Sequence, residues 1–459
     1  MHNPSIVDAG PQPMPDDASL SADGRSLLSW TIVALFLLNC LNYIDRLLFS
    51  VAQEMIKVDL HLSDFQLGLI GGPAFAILYT VFSFPIARAA DRGRRVGIIA
   101  ISLTLWSAMT AFCGIAANFV QMLVGRAAVS IGEAGCTPAS HSLISDAFPA
   151  QRRTTAIAIF AVAGPFGAIV AAVGGGALIA AYGWRTAFLI CGMAGIVMAL
   201  LFRATVPEPP RSQPRSHHAA SFIATVRQLL ARRSFALVAV AGGVAGIGSY
   251  ANQQYMVSFL MRGHGLSLAN ASVLMGLVIG GVGIVFTLLG GPMMDLGARR
   301  YPRIKAWLPS FGLLWCGALY AAAFQIPTVG LAVALMVLGS MGQHFYMPAM
   351  YAHGQDVAPP HMRAMASAVI IATSSILGYG LGPPLIGLAS DILGESARVS
   401  AGLSLAECAK RAVAACEAAS AQGLRLSLSL GSCFFILAAG LFALASRWVV
   451  ADVHDHDRH

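Results

Sequence analysis

Residues 87–95 read Ala-Arg-Ala-Ala-Asp-Arg-Gly-Arg-Arg, and residues 291–300 read Gly-Pro-Met-Met-Asp-Leu-Gly-Ala-Arg-Arg. In each stretch an acid, Asp91 or Asp295, is followed by glycine and then by a pair of arginines, Arg94 and Arg95 or Arg299 and Arg300. Each stretch also ends one long apolar run and precedes another. A tight basic turn between two apolar runs joins membrane-spanning helices on the side where Lys and Arg accumulate. Its recurrence implies two similar halves.

The composition agrees. Hydrophobic residues make up 57% of the chain and charged residues 11%, against the ~25% charged residues of an ordinary soluble protein. The missing charge means that most of the surface faces lipid. The net charge of +8 comes without a basic amphipathic run interleaved with aromatics, so nucleic-acid binding is excluded and the basic residues are read as topology signals. The eight cysteines show no metal-ligand spacing, and most sit in apolar runs. No Walker A, HExxH or GxSxG motif is present, so the chain is read as neither an enzyme nor an ATP-driven pump.

A spanning helix needs about 20 mainly apolar residues. Twelve stretches qualify, near 28–56, 65–87, 96–117, 119–147, 154–181, 186–205, 235–260, 270–294, 305–325, 328–355, 364–390 and 425–449. Residues 1–26 read as a disordered tail without the pattern of a cleaved signal peptide. The expected organisation is a first bundle over 27–205, a proline- and arginine-rich linker over 206–234, a second bundle over 235–450 and a tail over 451–459. Placing both termini in the cytoplasm puts the turns at Arg92–Arg95, Arg152–Arg153 and Arg299–Arg303 on the cytoplasmic side. Only Lys57, Arg185, Arg262, Arg398, Lys410 and Arg411 then fall in the outer loops.

The halves match at a fixed offset of 210 residues: Gly132 with Gly342, Pro138 with Pro348, Asp146 with Asp356, Arg153 with Arg363, and Asn42 with Asn252. Six helices plus six, around a central site, is the architecture of parallel-repeat transporters. Four charges interrupt the apolar runs of the first half. They are Asp45 and Arg46 in Asn42-Tyr43-Ile44-Asp45-Arg46, and Arg126 and Glu133 in the fourth span. At the repeat offset they correspond to Tyr255, Met256, Met336 and Gln343, so the second half carries no matching charge. Ionisable residues within a span are costly and mark function; a static ion pair that only fixes packing is the alternative. At 1.5 Å per residue, Asp45 lies about 17 Å from the outer end of its helix, between Arg126 at about 10 Å and Glu133 at about 20 Å. Asp45 is therefore expected to exchange partners between them.

The candidate proton-coupling set is thus Asp45, Arg46, Arg126 and Glu133. Asp91, Arg94, Arg95, Asp146, Arg153 and Asp295 form a candidate cytoplasmic gate, with Asp91 as a breakable latch against a helix N-terminus. Asn42, Tyr43, Asn252, Gln253, Tyr255, Gln343, His344, Tyr346 and Thr373 are candidate substrate contacts. Cys408 and Cys416 lie in the expected outer loop over 391–424, in a stretch that also reads as helical. Eight residues of straight helix separate them by about 12 Å, beyond disulfide reach, so a bond requires the helix to break.

These features resemble the major facilitator superfamily, whose loop motif between helices 2 and 3 is similar to Asp91-Arg92-Gly93-Arg94-Arg95. Within it the chain resembles the Spinster family, in Asn42 to Arg46, in Gly125 through Gly132-Glu133-Ala134 to Asp146, Phe148, Arg152 and Arg153, and in Gly164-Pro165-Phe166-Gly167. The resemblance implies an all-α fold of two six-helix bundles in the cell inner membrane. It implies a proton-linked or facilitative carrier of lysophospholipids or sphingolipids; no cofactor beyond the coupling proton is expected, and the chain is expected to be a monomer. A proton-linked organic-anion or drug antiporter, with Arg46 and Arg126 on the anion, is the second expectation; a non-transporting receptor or scaffold is the third.

Overall fold

The computed structural model describes residues 22–92, 94–210, 222–301, 303–359, 362–404, 407–408, 413–449 and 452. Among them every regular element is helical. Ten helices are long and apolar enough to cross a membrane. One of these, 155–205, holds two of the expected spans, because the chain turns at Gly183 (φ 81°), a backbone conformation that glycine adopts without strain. A further span runs over 119–147 as two consecutive segments. The twelve expected crossings are thus α1 (Ala22–Leu60), α2 (64–92), α3 (Arg95–Gly114), α4 (119–147), α5 (150–182), α6 (184–205), α7 (Arg233–His264), α8 (268–300), α9 (Ile304–Gln325), α10 (329–357), α11 (363–400) and α12 (413–445).

Large apolar residues such as Ile101, Leu200 and Phe311 are more than 60% exposed. They form the lipid-facing surface of a multi-pass membrane protein. Inside the first half, Leu35, Phe75, Leu103, Trp106, Leu143, Phe160 and Phe202 form an apolar cluster toward the end where α1 begins. We call that end of the bundle terminal and the opposite end distal.

Four helices at the seam between the halves are interrupted along their length. In α2 the break is the turn at Gly72; in α5, α8 and α11 it is a wide, π-type turn at Ala171–Gly175, Gly276–Gly281 and Ser374–Tyr379. Small residues let these helices cross closely. A β-carbon at Gly68 of α2 would lie 2.6 Å from the carbonyl oxygen of Pro383 on α11, and one at Gly176 of α5 would lie 2.6 Å from Cβ of Ser272 on α8.

One sequence expectation changes. The outer loop expected over 391–424 is largely helix: α11 continues to Ser400 and α12 begins at Val413. Cys408 and Cys416 are disulfide-bonded with Cα atoms 5.8 Å apart, about half the straight-helix separation that stood against a bond. The expected linker over 206–234 also carries structure. Glu208 and Pro209 are tied to α3, and a short helix, Phe222–Ala231, precedes α7.

Candidate functional site

α4 brings its charges to the centre through its own irregularity. Asn118 caps its start, accepting a 3.0 Å bond from the backbone of Gln121. The first segment stops at Glu133, and a new one starts at Cys136 with Pro138 in its first turn, where proline is tolerated. Gly132 lets α4 press on α3: a β-carbon there would sit 2.7 Å from the backbone nitrogen of Trp106. Glu133 is thereby wholly buried.

Nε of Arg46 donates to Oε2 of Glu133 at 2.6 Å. The same guanidinium lies over the rings of Phe75, Tyr79 and Tyr43, at 4.9, 5.1 and 5.8 Å from their centroids. Arg126 lies over Phe49 and Phe75, and its Nη1 reaches the backbone oxygen of Asp45 at 3.4 Å. The carboxylate of Asp45 turns the other way and accepts a 2.7 Å bond from the hydroxyl of Thr110 on α3. The carboxylate of Asp45 is therefore hydrogen-bonded to neither Arg126 nor Glu133 in this structure; Arg126 reaches only its backbone oxygen. Consecutive helical residues point about 100° apart, so Asp45 and Arg46 face different neighbours.

A cavity of about 100 Å³ lies between α1 and α2 of one half and α7 and α11 of the other. Arg46, Gln253 and Ser375 give it polarity, while Tyr43, Phe75, Tyr79, Tyr250 and Tyr379 give it aromatic walls. The Tyr250 and Tyr379 rings are 4.1 Å apart. Of the candidate substrate contacts, Tyr43 and Gln253 line this cavity. Asn42 and Asn252 are buried, each with an unpartnered amide nitrogen. Gln343 is partly buried and accepts from the Cys316 thiol, His344 stands beside Gly283, Tyr346 is buried, and Thr373 bonds to Val369 of its own helix. These residues lie outside the cavity lining. Phe75, Tyr79, Tyr250, Ser375 and Tyr379 were not among the sequence candidates. Tyrosines in mid-span, apolar with one polar tip, were the available signal.

The distal end holds a cluster that the sequence did not reveal. Arg262 of α7 is bidentate to Asp64 of α2, with both N–H···O distances 2.8 Å, and its Nε contacts Glu54 at 2.8 Å. Asp64 also receives Lys57 at 2.6 Å and the hydroxyl of Ser390 at 2.7 Å. Asp391 of α11 accepts the backbone N–H groups of Asp64 and Phe65, placing negative charge at the positive end of α2. Tyr255, a candidate substrate contact, instead donates to the backbone oxygen of Asp64 at 2.6 Å. Arg262 and Lys57 look like loop charges in sequence because they end helices; only the fold turns them inward. Direct hydrogen bonds and ion pairs between described residues of the two halves join 53–67 to 254–262 and 390–391.

At the terminal end, the buried Arg95 is ion-paired with Asp146 of α4 and, at 2.8 Å, with Glu208. Glu208 also accepts from the backbone nitrogens of Arg95 and Val96, capping α3. The repeat reproduces the first pair: Lys305 meets Asp356 at positions 210 residues on. Arg94 is exposed, and Arg153 donates to the backbone oxygen of Ser145. The side chains of Asp91 and Asp295 lie outside the described residues.

Residues 35–383 match the sequence profile of the Major Facilitator Superfamily. An MFS-type efflux pump of Mycolicibacterium smegmatis is 34% identical over 373 residues, covering 80% of this chain and 85% of its own. Protein spinster of Drosophila melanogaster is 27% identical over 389 residues, covering 82% of this chain and 64% of its own. The solved structure of a bacterial homologue of the human lysosomal transporter Spinster, inward-facing and occupied, superposes with a TM-score of 0.85 at 33% identity. It covers 94% of this chain and 99% of that one.

Proposed function

The chain belongs to the Major Facilitator Superfamily and to its Spinster branch, and on that premise we propose that it is a proton-coupled carrier of an amphipathic substrate, such as a lysophospholipid or sphingolipid, working by alternating access. The observation that carries the reading is the Arg46–Glu133 pair, whose arginine lines a cavity between the halves while its carboxylate is buried behind it. A cation in an aromatic enclosure offers one charged contact and a broad apolar one, which suits a polar head joined to an apolar body. At about 100 Å³ the enclosure fits a head group, so the apolar chain would lie between the helices or in lipid.

Glu133 and Asp45 would be the proton carriers. A buried carboxylate that loses its cation is costly to leave charged, so it takes a proton when helix motion separates the pair. The available drive is about 2.3 kcal/mol per charge per 100 mV. The distal cluster would be the closed outer gate of an inward-facing state, with both termini cytoplasmic and the monomer as the working unit in the inner membrane. Arg95, Asp146 and Glu208, paired with one another in this structure, would brace the cytoplasmic end of the first half, which would meet the second half when the distal cluster opens.

The test is flux of a fluorescent lysophospholipid into proteoliposomes with and without an imposed pH gradient. Glu133→Gln and Asp45→Asn keep size and remove charge. Each should retain binding and lose gradient-driven accumulation; full accumulation by the double variant would leave the ion pair a static packing device. The similarity to an efflux pump favours one second reading, a proton-linked antiporter of organic anions or drugs. It predicts flux of an anionic dye instead of the lysolipid.

A further inference from the structure

Asp45 and Arg46 are neighbours in sequence and face different spaces. Arg46 lines the central cavity, whereas Asp45 lines a separate pocket of about 10 Å³ between α1, α3 and α6. Its walls include Trp106, Ser107 and Thr110 of α3 and Cys191 and Gly195 of α6. Oδ1 of Asp45 is held by Thr110, but Oδ2 is buried with no partner among the described residues. An unpaired buried carboxylate oxygen is costly. A space of about 10–15 Å³ is what one water needs, provided two or more polar groups surround it. Here the carboxylate, the hydroxyls of Ser107 and Thr110 and the thiol of Cys191 supply them. The space depends on residue 195 being glycine, because a β-carbon there would run into the side chain of Ser107.

We propose that Asp45 exchanges its proton through this pocket, hydrated separately from the central cavity that Arg46 lines. The inference rests on the reading of Asp45 as a proton carrier. The ligand is water or hydronium: the pocket offers three oxygen-bearing side chains, fewer than the six or so oxygens that a hard cation takes. The other charged or titratable groups around Asp45 are Arg126 and Glu133 of α4, Arg46 of α1, Cys113 of α3 and Cys191 of α6. Proton and substrate would thus reach adjacent residues of one helix by different routes, and a head group filling the central cavity would leave Asp45 free to exchange.

Hydrogen–deuterium exchange at the carboxyl, followed by time-resolved infrared spectroscopy of the protein in lipid, tests this without any substrate. The protonated Asp45 band is the one lost in Asp45→Asn. Cys191→Leu narrows the pocket from its partly exposed wall, and Ser107→Ala removes a water partner without adding bulk. Each should slow exchange by about tenfold, the effect of about 1.4 kcal/mol on a barrier. Ser375→Leu, which fills the central cavity, should not slow it. Slowing by Ser375→Leu alone would route the proton through the central cavity. Equal slowing by all three would mean general stiffening, and no slowing by any would mean that the pocket is idle; each of these overturns the proposal while Asp45 remains a proton carrier. Absence of an Asp45 band at every pH would overturn that reading as well.

Discussion

Arg262 of α7 grips both carboxylate oxygens of Asp64 of α2, two residues 198 positions apart that lie on opposite sides of the seam. Asp64 is buried and the Arg262 side chain is only 9% exposed, and removing one partner of a buried pair costs roughly 3–5 kcal/mol because the other charge is stranded. Arg262→Met should therefore shift the protein away from the closed distal end by more than about a hundredfold. A cysteine replacing Ser258, which is buried against Gln53, reports the change through its reaction with a small aqueous thiol reagent. The rate should rise sharply in the Arg262→Met background. An unchanged rate would mean that helix packing alone closes this end.

Arg95 and Lys305 occupy equivalent places in the two halves but are not equivalent energetically. Arg95 is nearly inaccessible and serves Asp146, Glu208 and the carbonyl of Pro209. The Lys305 and Asp356 side chains are 22% and 36% exposed. Exposed pairs contribute about 0–1 kcal/mol. Arg95→Ala should lower thermal stability strongly, while Lys305→Ala should shift it little. Glu208→Gln should fall between, since it keeps a capping oxygen but loses the charge facing Arg95 and the helix dipole. Thermal unfolding in detergent ranks the three.

The twelve helices, the repeat and the four mid-span charges were legible in sequence because lipid makes polarity rare and therefore informative. The offset matched Asp146 with Asp356, and the structure adds Arg95 and Lys305 as their equivalent partners. The pairing inside the site was not legible. Depth placed Asp45 between Arg126 and Glu133, but the angle around the helix sends its carboxylate to Thr110 and leaves Arg46 to meet Glu133. The distal cluster was hidden for a related reason: Glu54, Lys57, Asp64 and Arg262 sit at helix ends, where charges are ordinary. The aromatic walls combine α1, α2, α7 and α11, whose proximity no local pattern carries.

The bond between Cys408 and Cys416 ties the connection after α11 to the first turn of α12. A loop of this size gains about 2–3 kcal/mol from cross-linking in the chain-entropy account, and the gain is local. Mass spectrometry of non-reduced peptides should find the pair linked. Cys408→Ser should raise protease nicking between residues 400 and 413 while gradient-driven flux persists. Loss of flux would tie this connection to gating.

Closure of the distal end has a steric part separable from its charges, and Gly387 of α11 isolates it. A β-carbon there would lie 2.6 Å from the hydroxyl of Tyr255 and closer still to the backbone oxygen of Asp64. The backbone oxygen cannot swing aside as a flexible side chain would, so α2 and α11 must separate. Gly387→Ala leaves every charge of the cluster in place, yet it should push Asp64 off the Tyr255 hydroxyl and loosen the grip of Arg262. We expect the Ser258→Cys reporter to react faster in Gly387→Ala, though less than in Arg262→Met. Because the two sites share Asp64 as a neighbour, their effects should not add. The double variant should react little faster than Arg262→Met alone. Full additivity would mean that packing and charge close this end independently. No effect of Gly387→Ala would mean that the ion cluster suffices and the close helix crossing is incidental.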